Sequence, residues 1–72
     1  GDVLMVDRSI EPEASKMVVA VINGEMTVKR LSVVDGQMTL TADNPNYPDV
    51  NVGDFDESMI WGVVTNVIHQ FL

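Results

Sequence analysis

The sequence predicts a small all-β domain built on consecutive hairpins. Three observations carry this. Strand-length runs rich in Val, Ile, Leu and Thr recur along the chain. Two of the junctions between them are Asn23-Gly24 and Asp35-Gly36, and the remaining junctions are polar or Pro-rich. Asn-Gly and Asp-Gly are strong hairpin signals, because a two-residue type I′ turn needs positive φ at both of its positions. The 72 residues contain no repeat, low-complexity tract or linker, so residues 1–72 are read as part of a single domain.

Taken in order, Gly1-Asp2 reads as a turn and Val3, Leu4, Met5, Val6 and Asp7 as an apolar strand. Residues 9–16 are a polar connection in which Pro12 excludes a central strand. Asp7 and Arg8 could pair with each other, but a solvated strand end is the commoner arrangement for such neighbours. Residues 17–42 then hold two hairpins that share the central strand 25–34. With two-residue turns, paired residue numbers sum to 47 across the first hairpin and 71 across the second. Lys29 is therefore expected opposite Val18 on one side and Ala42 on the other.

Side chains alternate along a strand, so Lys29 shares its face with Leu31, Val33, Ala20, Ile22, Leu40 and Met38. The other face carries Arg30, Ser32, Gln37, Thr39, Thr41 and Asp43, with Met17, Val19, Val21, Met26, Val28 and Val34 among them. A lysine surrounded by Val, Ala and Leu loses hydration of its charged form, which favours a neutral amine able to act as a base. The alternative is that its head snorkels past the strand edge and stays charged.

Residues 43–49, with two prolines, form a turn-rich segment in which Tyr47 is expected to pack over the core. Val50, Asn51 and Val52 are a short possible strand. The acidic cluster of residues 53–58 lacks the spacing of an EF-hand loop and reads as solvated. Residues 59–72 place Ile60, Val63, Val64, Val67, Ile68 and Phe71 at helical spacing, yet the segment is β-branched throughout and contains Gly62. Composition favours a strand. His69, with no second His and no Cys in the chain, reads as a surface or interface residue rather than a metal ligand.

Composition narrows the function classes. With 11 acidic against 4 basic residues the net charge is −7, which argues against direct nucleic-acid binding by this piece. The chain has no cysteine, so no disulfide supports it and an oxidising compartment is not implied. The apolar runs are strand-sized, well short of the ~20 residues of a membrane-spanning helix. Cytoplasmic residence without membrane attachment is the expectation.

The opening Gly1-Asp2-Val-Leu-Met-Val-Asp7-Arg8 and the later Val-Val-Ala-Val-Ile-Asn-Gly-Glu-Met-Thr-Val-Lys29-Arg-Leu together resemble the self-cleaving LexA/UmuD family of Ser/Lys peptidases (peptidase S24). Asn44, Asn46, Tyr47 and Pro48 are similar to that family's Asn-x-x-Tyr-x-Pro segment, and residues 60–68 resemble its last strand. The resemblance covers nearly the whole chain in the right order. It implies a curved, partly open β architecture of the β-clip type rather than a closed barrel. It also implies that Lys29 is the catalytic general base. The serine nucleophile would lie about ten residues upstream of Gly1, so the chain is expected to be an N-terminally truncated fragment, inactive alone.

Ser58-Met59 looks like the family's Ser-Met nucleophile dipeptide, but it follows the lysine and opens the last strand. Ser9 sits at a turn. Capping or turn hydrogen bonding is the expected role for both. Asp7-Arg8-Ser9-Ile10 and the Gly-Val-Val-Thr-Asn-Val ending look closer to the UmuD branch than to LexA. For the intact parent the resemblance implies self-cleavage stimulated by a RecA filament. The processed form would be a homodimer serving an error-prone Y-family DNA polymerase. The alternative is the dimerisation domain of a LexA-like or phage-type repressor. No cofactor or metal is implied. Dimerisation is further expected because the β-branched final strand, in so small a domain, needs a cover for its edge.

Overall fold

The computed structural model describes residues 2–43, 46, 49–51 and 53–69. The two Gly turns take the conformation that their sequence demands. Asn23 and Gly24 have φ of 52° and 81°, and Asp35 and Gly36 have 51° and 77°. All four are positive, as a type I′ turn requires. The turns join β2 (Met17–Ile22), β3 (Glu25–Val34) and β4 (Gln37–Thr41) into a meander. Val18 pairs with Lys29 and Leu31 with Leu40, so both hairpins have the register expected from two-residue turns.

One pairing differs from expectation. The β3–β4 ladder ends at Arg30 and Thr41, so Ala42 does not pair with Lys29. Its N–H donates instead to Asp49 Oδ1 at 2.7 Å, which ties the return connection to the end of the sheet.

The first strand, β1 (Val3–Asp7), and the last, β5 (Ile60–Ile68), complete an antiparallel sheet of order β1-β5-β2-β3-β4. After three consecutive strands, β5 returns to lie beside the first of them, which is a Greek-key connection. The result is an all-β, open five-stranded sheet with no α-helix among the described residues. A single 3₁₀ turn, Glu57–Met59, leads into β5.

β5 is not an edge strand. β1 covers one side and β2 the other, so the reason given above for dimerisation, an uncovered β5 edge, does not hold. The pairing that covers β5 is contributed by strands far away in sequence. β5 also carries two irregularities: Trp61 is the extra residue opposite the Val19–Ala20 step, and Thr65 is the extra residue opposite Met5–Val6. Such bulges bend a strand and re-aim its side chains. They explain why the β5 apolar run fits no simple alternation.

The core lies on the Lys29 face. Val18, Ala20, Leu31, Leu40 and Val63 are buried there, and Ile22, Met38, Ile60, Met59, Val50 and Phe55 pack around them. The last three come from the connection between β4 and β5, which crosses this face. Val33 shares the face but is 56% exposed, because it stands near the Asp35-Gly36 turn at the far end of the hairpin. On the opposite face Val21, Met26 and Val28 are exposed. Val50 forms no strand: its N–H donates to Leu40 O at 2.9 Å and its carbonyl accepts from Thr39 Oγ1 at 3.0 Å. Val52 lies outside the described residues.

A candidate Ser/Lys peptidase site at Lys29

β3 places Lys29 in mid-strand, with Thr27 and Leu31 as its same-face neighbours. Its cross-strand partner Val18 is completely buried. Lys29 itself is only 7% exposed, one of two buried polar or charged residues among those described. Its neighbour Arg30 points the other way and forms a two-pronged contact with Asp43, Nε to Oδ1 at 3.0 Å and Nη2 to Oδ2 at 2.8 Å. That contact holds the Asp43 carboxyl below its ordinary value. Strand alternation thus separates two adjacent basic residues into different environments.

Lys29 lines a groove of about 580 Å³. One wall is the β2–β3 hairpin, with Ile22, Asn23, Glu25 and Thr27. The other is the return connection, with Asp49, Val50, Asn51, Asp54 and Met59. The floor is apolar where Val50 and Met59 meet the core, and carboxylates stand around it. An amine held in such a cleft is positioned to exchange a proton with a group entering the groove.

Neither serine is placed as a nucleophile beside Lys29. Ser9 donates from N and Oγ to Asp7 Oδ1, at 2.8 and 2.6 Å. These bonds, the hydroxyl's first, lower the Asp7 carboxyl from its ordinary value. Ser58 lies inside the 3₁₀ turn rather than opening the strand, and its N–H donates to the capping Asp56 Oδ1 at 2.8 Å. This backbone bond is the main cause of the lowered Asp56 carboxyl. Turn and cap hydrogen bonding therefore account for these two segments. The acidic loop has a structural part as well, since its Phe55 packs on the core.

Asp7 and Arg8 do not pair with each other. Asp7 serves Ser9, while Arg8 Nε donates to Trp61 O at 3.0 Å and its guanidinium carbon sits 4.6 Å from the centre of the Trp61 ring. His69 is at the surface, with Nδ1 2.6 Å from Asp2 Oδ1. Of the Asn-x-x-Tyr-x-Pro segment only Asn46 falls within the described residues, and Asn44, Tyr47 and Pro48 lie outside them. Among the described residues no group of three or more His, Cys, Asp or Glu is arranged to hold a metal ion. Among the same residues no helix is long and apolar enough to cross a membrane.

The groove walls, absent from any single local motif, were missed by sequence reasoning. Asp49 and Asp54 are brought to Lys29 by a long return connection, and no spacing rule signals that. The comparison with known proteins decides what family this framework represents. The peptidase S24-like family matches residues 1–65. The chain belongs to that family. It is 43% identical over 67 residues to the protein MucA of Escherichia coli, covering 92% of this chain and 45% of MucA. It is 39% identical over 70 residues to the protein SamA of Salmonella typhimurium, covering 97% of this chain and 47% of SamA. To the LexA repressor of Bordetella pertussis it is 35% identical over 68 residues, covering 94% of this chain and 32% of the repressor. The chain thus spans a third to a half of the length of these peptidase S24-like relatives.

Proposed function

We propose that this chain is the C-terminal part of a UmuD-like mutagenesis protein whose intact form cleaves itself with a Ser/Lys dyad. The observation that carries the reading is the burial of Lys29 at the side of an open groove. In the proposed step, the neutral Lys29 amine accepts the proton of an upstream serine as its oxygen attacks the scissile carbonyl. Protonated Lys29 then returns that proton to the leaving amine. This chain contributes the base, and a serine on a preceding segment contributes the nucleophile.

The greater identity to MucA than to the LexA repressor favours the mutagenesis branch over a repressor. In that branch, cleavage of the cytoplasmic parent is stimulated by a RecA filament. The processed form dimerises and supports an error-prone translesion polymerase. The repressor reading keeps support from the LexA similarity, and a helix-turn-helix domain upstream would decide in its favour.

The test extends the chain upstream through the serine and follows self-cleavage with activated RecA. Cleavage is expected in the extended parent and its loss in Lys29→Ala. Cleavage undiminished by Lys29→Ala removes Lys29 from the chemistry and with it this reading.

A further inference from the structure

The groove wall facing Lys29 has no secondary structure of its own. Residues 49–51 are held to the sheet by β4 and the residue that follows it, through three hydrogen bonds. Val50 N donates to Leu40 O, Thr39 Oγ1 donates to Val50 O, and Ala42 N donates to Asp49 Oδ1. The first two give Val50 both halves of a strand-like pairing. Its donor partner is a side chain rather than a backbone N–H.

Thr39 is an unexpected residue for this work. Alternation places it on the face opposite Lys29 and Leu40, beside Ser32 and Thr41, yet it is 1% exposed while those neighbours are only partly buried. Ser32 and Thr41 satisfy each other, Oγ to Oγ1 at 2.7 Å. The Thr39 hydroxyl is committed instead to Val50, and Val50 both packs on the core and lines the groove with Lys29. We propose that Thr39 is a positioning residue whose hydroxyl clips the Asp49–Asn51 wall to the sheet edge and so keeps Lys29 shielded within its groove. Its meaning for catalysis rests on the Ser/Lys reading, whereas the clip itself does not.

The chain offers an internal standard, because its only two lysines are the buried Lys29 and the exposed Lys16. Limited acetylation followed by peptide mass mapping gives the Lys29:Lys16 labelling ratio in folded protein. The parent ratio is expected well below one. Thr39→Val keeps the shape and deletes the donor, and it should raise the ratio about fivefold, the equilibrium weight of one ordinary hydrogen bond. Thr39→Ser keeps the hydroxyl and should stay near the parent. Should Thr39→Val fail to fold, Asp49→Ala breaks the neighbouring clip at an exposed residue and should also raise the ratio.

An unchanged ratio in folded Thr39→Val overturns the clip, as does an unchanged ratio in Asp49→Ala or a Thr39→Ser protein that behaves like Thr39→Val. In the extended protein, self-cleavage should fall by a similar factor in Thr39→Val and recover in Thr39→Ser. Cleavage that survives Lys29→Ala defeats the Ser/Lys reading and leaves the labelling result standing. Normal labelling and normal cleavage in Thr39→Val defeat the clip alone.

Discussion

Gly62 is where the packing of this sheet is least forgiving. It is buried in β5 opposite Val19, and Val6 of β1 lies over it. A Cβ built there would stand 2.5 Å from Val6 Cγ1, with Arg8 Cγ at 3.4 Å and the Asp7 carbonyl at 3.5 Å. Carbon atoms pack at about 3.5–4.0 Å, so Gly62→Ala demands a displacement of about 1 Å. Val6 is poorly suited to give way. Its branched side chain is stiff about χ1, and its backbone is fixed by pairing with Val64. Arg8 is constrained as well, because it crosses Gly62 to reach Trp61.

Overpacking of this kind costs about 1–3 kcal/mol. Replacing glycine by alanine returns about 0.4–1 kcal/mol through the unfolded chain. The net expectation is a destabilisation of about 1–2 kcal/mol, which lowers the melting temperature of a domain this size by about 4–8 °C per kcal/mol. Thermal and urea unfolding followed by far-UV circular dichroism measures it. The overlap disappears in a Val6→Ala background, where Gly62→Ala should be neutral or slightly stabilising, so the double-mutant cycle isolates the contact. A Gly62→Ala protein as stable as its parent refutes the packing argument, and so does an equal penalty in both backgrounds.

Other perturbations test other parts of the structure. Leu31→Ala empties one of the most deeply buried sites and should cost about 2–5 kcal/mol, enough to leave a domain this small largely unfolded by circular dichroism. Asp43, Asp7 and Asp56 all have carboxyls lowered from 3.8, by hydrogen bonds from Arg30, Ser9 and Ser58 respectively. Each therefore adds stability above that value which is lost as pH falls through the lowered one. Urea melts should show Asp43→Asn weaker than the parent near neutrality, with the gap closing below pH 3.8. A gap that persists in acid would mean that the contact is not ionic. Lys29→Met keeps the stem volume of a buried side chain and removes only the amine, so the extended protein should stay folded in urea melts while it ceases to cleave. A clear loss of stability would show that the lysine head is a structural anchor.

Much of this architecture was legible because its determinants are local. The Asn23-Gly24 and Asp35-Gly36 turns impose positive φ, and two-residue loops leave only one register, so the pairing of Lys29 with Val18 follows from the chain itself. The assignment of residues 60–68 to a strand was legible from β-branching, but their place in the sheet was not. Helical spacing competed there because the bulges at Trp61 and Thr65 break the two-residue alternation. Arg8 and Arg30 could be placed at strand positions, yet their partners Trp61 and Asp43 were not readable from spacing.

The sequence by itself determined five β-strands, the mutual register of the central three and the face on which Lys29 stands, because turn geometry and side-chain alternation act within a few residues. Tertiary structure alone decided that β5 lies between β1 and β2, and that the return connection crosses the Lys29 face to make a groove. Those outcomes depend on contacts that no turn type dictates, Val63 against Val18 and Val50 against Leu40. No local pattern encodes such pairings: they form because together they bury one shared apolar face and satisfy the backbone along the edges of the hairpins.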